Sequence, residues 1–135
     1  MNTFEYLDAL WDVFTNDATL CDALHLDTSD ESNYMQKYRQ QDMQADEFKK
    51  DDMPMVVFYF ADAMDTFNDF VNNGFLRIDI YAMNMYDVAP IRKRIVQLMF
   101  NTFNECVRAE GQYQSGIRDV YKYRLEYTPL VITKG

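Results

Sequence analysis

Glycine is scarce in this sequence, with 4 among 135 residues, and so are proline with 3, cysteine with 2 and histidine with 1. Each shortage removes a class of chemistry. No glycine-rich loop has the spacing that cradles a phosphate or a dinucleotide. Cys21 and Cys106 are too few and too far apart for a metal site or a disulfide framework. Both stand in helical, partly apolar contexts and read as buried free thiols. The lone His25 has no Ser or Cys beside it to activate, and reads as a surface or helix-end residue. No apolar run approaches the roughly 20 residues needed to cross a bilayer. Met1–Glu5 has neither a basic region nor an apolar stretch, so no secretory signal is expected.

Catalytic templates that do not need these residues fare no better. The acid pairs Asp30-Glu31 and Asp51-Asp52 lie in polar segments where nothing would desolvate them. A nuclease would want several acids on strand ends together with a lysine. Asp79 is the one acid inside a clearly patterned strand, and Arg77 shares its face, so a structural or interface salt bridge accounts for it better. No enzyme, cofactor or metal is expected from these residues.

Acid is abundant, and it is unevenly placed. The net charge is −9; residues 1–54 hold 13 Asp/Glu and 4 Lys/Arg, while residues 55–135 hold 9 of each. All of the excess therefore belongs to the first part of the chain. Such a surface disfavours direct binding to nucleic-acid phosphates. A solvated acidic face, a wall that keeps DNA from sticking and a DNA-like surface all fit it. Tyr 10, Phe 10 and Met 9 are also many. They either fill a core or end at protein–protein contacts.

The clearest pattern runs from Gly74 to Val107. Leu76, Ile78, Ile80 and Ala82 alternate with Arg77, Asp79 and Tyr81, which predicts a strand with one wet or partner-facing side. From Val88 the apolar residues Ile91, Ile95, Leu98 and Met99 recur at steps of three and four. This predicts a helix over about 87–106, with Asp87 as its N-cap and Pro90 in its first turn. Ahead of this unit, Asn2 or Thr3 can cap a first helix whose face is Phe4, Leu7, Leu10 or Trp11, and Phe14. Asp17 can cap a short second helix, Ala18–Leu24. Residues 27–53 are polar and read as a loop or arm outside the core that orders on a partner or stays disordered. Met55–Phe60 reads as a strand covered on both faces, and Asn73-Gly74 as a turn. Near the C-terminus, Tyr121, Tyr123, Leu125 and Tyr127 alternate with Lys122, Arg124 and Glu126. The whole is predicted to be one α+β domain spanning 1–135. It has a mostly antiparallel sheet of about four strands, with the long helix and the N-terminal helices packed on one face.

The order of these elements, with Pro54–Phe58, Leu76–Ala82, the helix through Ile91, Ile95 and Leu98, and Tyr121–Tyr127, resembles the tail terminator (tail completion) proteins of long-tailed bacteriophages over nearly the whole chain. The polar segment 27–53 has no counterpart in that pattern. The resemblance implies a virion structural protein: a homohexameric ring at the head–tail junction, assembled in the host cytoplasm. It caps the tail tube, ends its elongation and meets the head connector or stopper protein. DNA passes through the lumen without specific binding, and no membrane or covalent chemistry is involved. In that setting Arg77, Asp79, Tyr81, Arg92, Arg94, Lys122, Arg124 and Glu126 are candidates for subunit contacts. Tyr34, Tyr38, Phe67 and Phe70 are candidate anchors in loops that face the tube or the connector. Alternative readings are another neck protein, a stopper or adaptor, and a small acidic inhibitor that mimics DNA.

Overall fold

Asn2 starts the first helix. Its side chain accepts the Glu5 N–H at 2.8 Å, and the Glu5 carboxylate accepts the Asn2 N–H at 3.3 Å. This reciprocal cap satisfies two backbone donors that the first turn would leave bare. In the computed structural model, which describes residues 1–40, 49–65 and 71–132, helix α1 spans Thr3–Thr15. It buries Tyr6, Leu10 and Phe14, one residue per turn. Phe4, expected on that face, is 78% exposed instead, and Tyr6 takes the inward place. Helix α2, Ala18–Ala23, is capped by Asp17, whose side chain accepts the Leu20 N–H at 2.9 Å. His25 follows it with a φ of 57°, a helix-end position as expected.

The segment that reads as a loop is partly core. Asp30 caps helix α3, Glu31–Lys37, which runs into the two-residue strand β1, Tyr38–Arg39. Lys37 and Tyr38 are buried, as is Leu26 just before the segment. Few apolar groups are needed because polar ones tie this stretch down. The Lys37 Nζ donates to the carbonyls of Asp52 at 2.9 Å and Pro54 at 3.2 Å. The Tyr38 hydroxyl donates to the Phe14 carbonyl at 3.0 Å. Burial among these carbonyls pushes the Lys37 ammonium below its ordinary pKa.

Two long strands follow, β2 at Met55–Asp65 and β3 at Val71–Ala82, paired antiparallel with Val57 opposite Asp79. Gly74 lies inside β3, paired with Ala63, and forms no turn. A glycine is needed there because a Cβ would sit 2.5 Å from the Phe60 ring and 3.4 Å from Val131. Helix α4, Met85–Phe103, starts two residues earlier than the pattern predicts. Asn84 is its cap and accepts from the Asp87 N–H at 3.1 Å, so Asp87 sits inside the first turn. Asn104, in the left-handed region with a φ of 55°, ends it.

Strand β4, Ala109–Gln114, like β1, has no sequence signal; its stretch reads as a helix exit and a turn. Strands β5, Tyr121–Tyr127, and β6, Leu130–Ile132, complete the sheet. The order is β1-β2-β3-β5-β4, with β6 pairing the far end of β3. Among the described residues only β1 runs parallel to its neighbour. The α+β class stands as predicted, with six strands among the described residues where about four were expected.

Val56, Phe58, Leu76, Ile78, Ile80 and Leu125 point from the sheet toward α1, α2 and α4, where Leu10, Phe14, Leu20, Ile91 and Ile95 meet them. A second, smaller cluster occupies the other face: Met55, Val57, Tyr59, Tyr81 and Val120, with Met53 and Ile117 against it. The first half of β2, Met55–Tyr59, is therefore buried on both sides, as its unbroken apolar run implies. Among the described residues no helix is long and apolar enough to cross a membrane.

Candidate functional site

Six of the eight residues singled out for subunit contacts, Arg77, Asp79, Tyr81, Lys122, Arg124 and Glu126, gather on the outer face of β3 and β5. Asp79 and Arg124 are direct cross-strand partners. Arg124 donates from Nε to Asp79 Oδ1 at 2.8 Å and from Nη2 to Oδ2 at 3.3 Å. Lys122 Nζ lies 3.6 Å from the same carboxylate. The Tyr59 hydroxyl donates to Asp79 Oδ2 at 3.1 Å and accepts from Arg124 Nη2 at 3.2 Å. The Asp79 side chain is fully buried, and Lys122 and Arg124 are nearly so. Burial alone would lower the Arg124 pKa. Its hydrogen bonds and attraction to Asp79 outweigh that and hold it above the ordinary arginine value.

This closed arrangement corrects one expectation. Asp79 and Tyr81 are 0% and 2% exposed within a single chain, so neither can meet a neighbouring subunit directly. Arg77 pairs with Glu126 at 3.5 Å, and Arg108 reaches Glu126 from its other side at 3.7 Å. The Tyr113 ring of β4 covers the Arg124 guanidinium at 4.5 Å. Two cations against one carboxylate, with a second such trio beside it, make this face the cationic side of an acidic protein.

The basic cluster on α4 is also committed within the chain. Arg94 makes two hydrogen bonds to the Asp17 carboxylate, at 2.8 and 2.6 Å. Arg92 makes two to Glu110, at 3.1 and 2.8 Å. The Tyr123 hydroxyl donates to the same Glu110 at 2.6 Å. Arg92 and Arg94, candidates for subunit contacts, thus find their acids inside one molecule, and the Arg94–Asp17 pair ties α2 to α4. Lys93, between them, faces solvent and has no ion pair among the described residues. Asp17, Glu110 and Tyr59 were not foreseen in these roles. Asp17 was legible as a cap, but its 77-residue reach to Arg94 leaves no local trace.

Asp17 carries a pH prediction. The Arg94 hydrogen bonds hold its carboxyl below the ordinary value of 3.8. A lowered folded-state pKa means the unfolded chain takes up the proton first. The pair therefore contributes its full stability above about pH 4 and loses it as pH falls through the folded-state value. In Arg94→Gln the acid limb of the stability curve is expected to move to higher pH. In Asp17→Ala it is expected to lose this component and about 1 kcal/mol of helix capping. Urea titrations between pH 2 and 6 measure both; superimposable acid limbs for wild type and Arg94→Gln would refute the assignment.

The four aromatic anchors divide. Tyr38 is 1% exposed, stacked on Phe14 and edge-on to Trp11, so it is a core residue and no partner-facing anchor. Tyr34 is partly buried against the same core. Phe67 and Phe70 lie outside the described residues. The apolar groups that do face solvent near α3 are Phe4 and Met35, on the rim of a groove of about 750 Å³ between α1 and α3. Cys21 is buried as expected and donates toward the Phe14 and Thr15 carbonyls, whereas Cys106 is exposed beyond the end of α4. Among the described residues no group of three or more His, Cys, Asp or Glu could hold a metal ion. No protein-family model and no curated protein matches the sequence.

Proposed function

We propose that the chain is a phage tail terminator: a homohexameric ring at the head–tail junction that caps the tail tube, ends its growth and receives the head connector or stopper protein. The observation that carries the reading is the placement of charge. Residues 1–36 contain eight acids and no Lys or Arg. Seven of the eight, Glu5, Asp8, Asp12, Asp22, Asp27, Asp30 and Glu31, are exposed on the α1–α3 layer. Arg77, Arg108, Lys122 and Arg124 lie on the opposite, outer side of the sheet, while Arg92 and Arg94 of α4, on the helical side, are taken up by Glu110 and Asp17. A ring that turns the helical layer inward would present carboxylates to passing DNA, and phosphate would slide past without binding. The order of elements along the chain supports the same reading. The work is done by symmetry and charge, with no reactive group required.

The test is direct. Added to polymerising tail-tube protein, the purified chain is expected to stop tube growth and to appear at the tube end as a six-fold ring with an open centre in negative stain. Tubes that grow to the same length with and without it, carrying no cap, would overturn the reading.

A second reading draws on the same acids. Glu5, Asp8 and Asp12 recur at steps of three and four, so they share one side of α1. A regular acidic ridge is what a DNA-mimicking inhibitor needs. Tight binding to a DNA-binding enzyme that weakens steeply with salt would favour it over the ring.

A further inference from the structure

We propose that β4 is the strand to which a second copy of this chain adds an extended segment, so that the sheet continues from one molecule into the next. The inference rests on self-association as in the reading above, and names the place where copies join.

Strand β4 ends the sheet. It pairs with β5 over six residues, from Ala109 opposite Glu126 to Gln114 opposite Tyr121. Its other side has no strand partner among the described residues. Alternate backbone N–H and C=O groups along that side point away from the molecule, and such groups are a template for another strand. Proteins that keep an edge free usually guard it with lysine, proline, a bulge or a very short strand. Ala109-Glu110-Gly111-Gln112-Tyr113-Gln114 has no lysine and no proline, and its pairing is regular throughout. Its one charge, Glu110, is already neutralised by Arg92 and bonded by Tyr123. Gly111 is not required by internal packing, because a Cβ there would meet nothing within 4 Å. The same position leaves room for a neighbour to lie close. Beyond Gln114 a concavity of about 600 Å³, walled by Tyr113, Ser115, Ile117, Val120 and Tyr121, opens at the end of the strand. It can receive a side chain of the added segment.

Charge identifies the occupant. Two copies of a chain with a net charge of −9 repel each other. Seven exposed acids sit on or between α1, α2 and α3, and α3 leads into β1 at the far edge of the sheet; near β4 the exposed acids are Glu110, paired with Arg92, and Asp119, 3.8 Å from Lys50. The β4 edge is the margin remote from α3 and β1. It is flanked by the cationic outer face, with Arg108, Lys122 and Arg124. Copies can therefore approach there with least repulsion, the cationic margin of one beside the acidic surface of the next. Backbone pairing gives the affinity, and this charge arrangement selects a second copy of this chain over an unrelated strand.

Amide hydrogen exchange of the full chain, compared between dilute and millimolar solution, tests the proposal. Every second amide of β4, the set facing away from β5, is expected to exchange at least tenfold more slowly in the concentrated sample. Gly111→Pro and Gln112→Pro supply a second arm. Neighbouring amides of a strand face opposite ways, so one substitution breaks the β4–β5 hairpin and the other removes only an outward donor. The variant that keeps the wild-type fold by circular dichroism is expected to associate at least tenfold more weakly in sedimentation equilibrium. A chain that stays monomeric at millimolar concentration overturns the proposal. So does one that assembles with unprotected β4 amides, or a fold-sparing variant that assembles like wild type. Rings with unprotected β4 amides would sink this inference and leave the tail-terminator reading standing. Protected edges in a simple dimer would do the reverse.

Discussion

Asp79→Ala is expected to lose about 3–5 kcal/mol of folding stability, because it strands two cations inside the sheet face. Arg124 and Lys122 are mostly buried, and the Asp79 carboxylate is the acid within reach of both. The Tyr59 hydroxyl would lose its hydrogen bond to Asp79 Oδ2 as well. The cost does not measure the worth of the ion pair; it is chiefly the penalty for uncompensated charge in a poorly solvated place. A double variant, Asp79→Val with Arg124→Met, should therefore regain much of the loss, since Lys122 retains some exposure and a flexible stem that can turn to water. Urea unfolding followed by far-UV circular dichroism gives each corner of the cycle. The loss should not change with protein concentration, because the network closes within one chain. A loss that grows as the protein is concentrated would instead place Asp79 at an interface. A single-variant effect under 1 kcal/mol would show that water reaches the site.

Tyr38→Ala is expected to be as severe, about 3–5 kcal/mol, in the range of other large aromatic truncations. The ring is stacked on Phe14, which in turn meets Phe58 edge-on, so its removal opens a cavity where α1, α3 and the sheet converge. Tyr38→Phe isolates the hydroxyl. It deprives the Phe14 carbonyl of a donor at 3.0 Å and Cys21 Sγ of a contact at 3.4 Å, and should cost about 1–2 kcal/mol. Thermal unfolding of both variants is the measurement. A surface anchor would give no change in either, so an unshifted melting curve would restore Tyr38 as a partner-facing residue.

These two residues also show where reading the sequence succeeded and failed. Asp79 was legible as part of a salt bridge because an acid alternating with Ile78 and Ile80 must face away from the apolar side. Its partners were not, because Arg124 lies 45 residues away and only strand pairing brings it opposite. Tyr38 was misplaced for a related reason. Its segment has few apolar residues, and periodicity has nothing to count there. The burial comes from single long-range bonds, Lys37 to two carbonyls and Tyr38 to one, which no local pattern records. Strand β4 was missed because Ala-Glu-Gly-Gln-Tyr-Gln has little strand propensity of its own. Cross-strand pairing with β5 imposes the extended form, as context often does for strands. Cys106 was expected to be buried because the helix was expected to run through it; Asn104 stops α4 first.

By itself the sequence determined the α+β class, the two long alternating strands, the long amphipathic helix, the caps at Asn2 and Asp17, and the acidic first half. All of these are local: a period, a cap or a charge count needs only neighbours in the chain. Tertiary structure alone decided that Arg94 belongs to Asp17, that Asp79 is sealed among Arg124, Lys122 and Tyr59, that Tyr38 is core, and that a six-residue strand with a single charge forms a margin of the sheet. Each of these joins residues distant in sequence, where the energy of a contact depends on what the fold brings together and how far it excludes water.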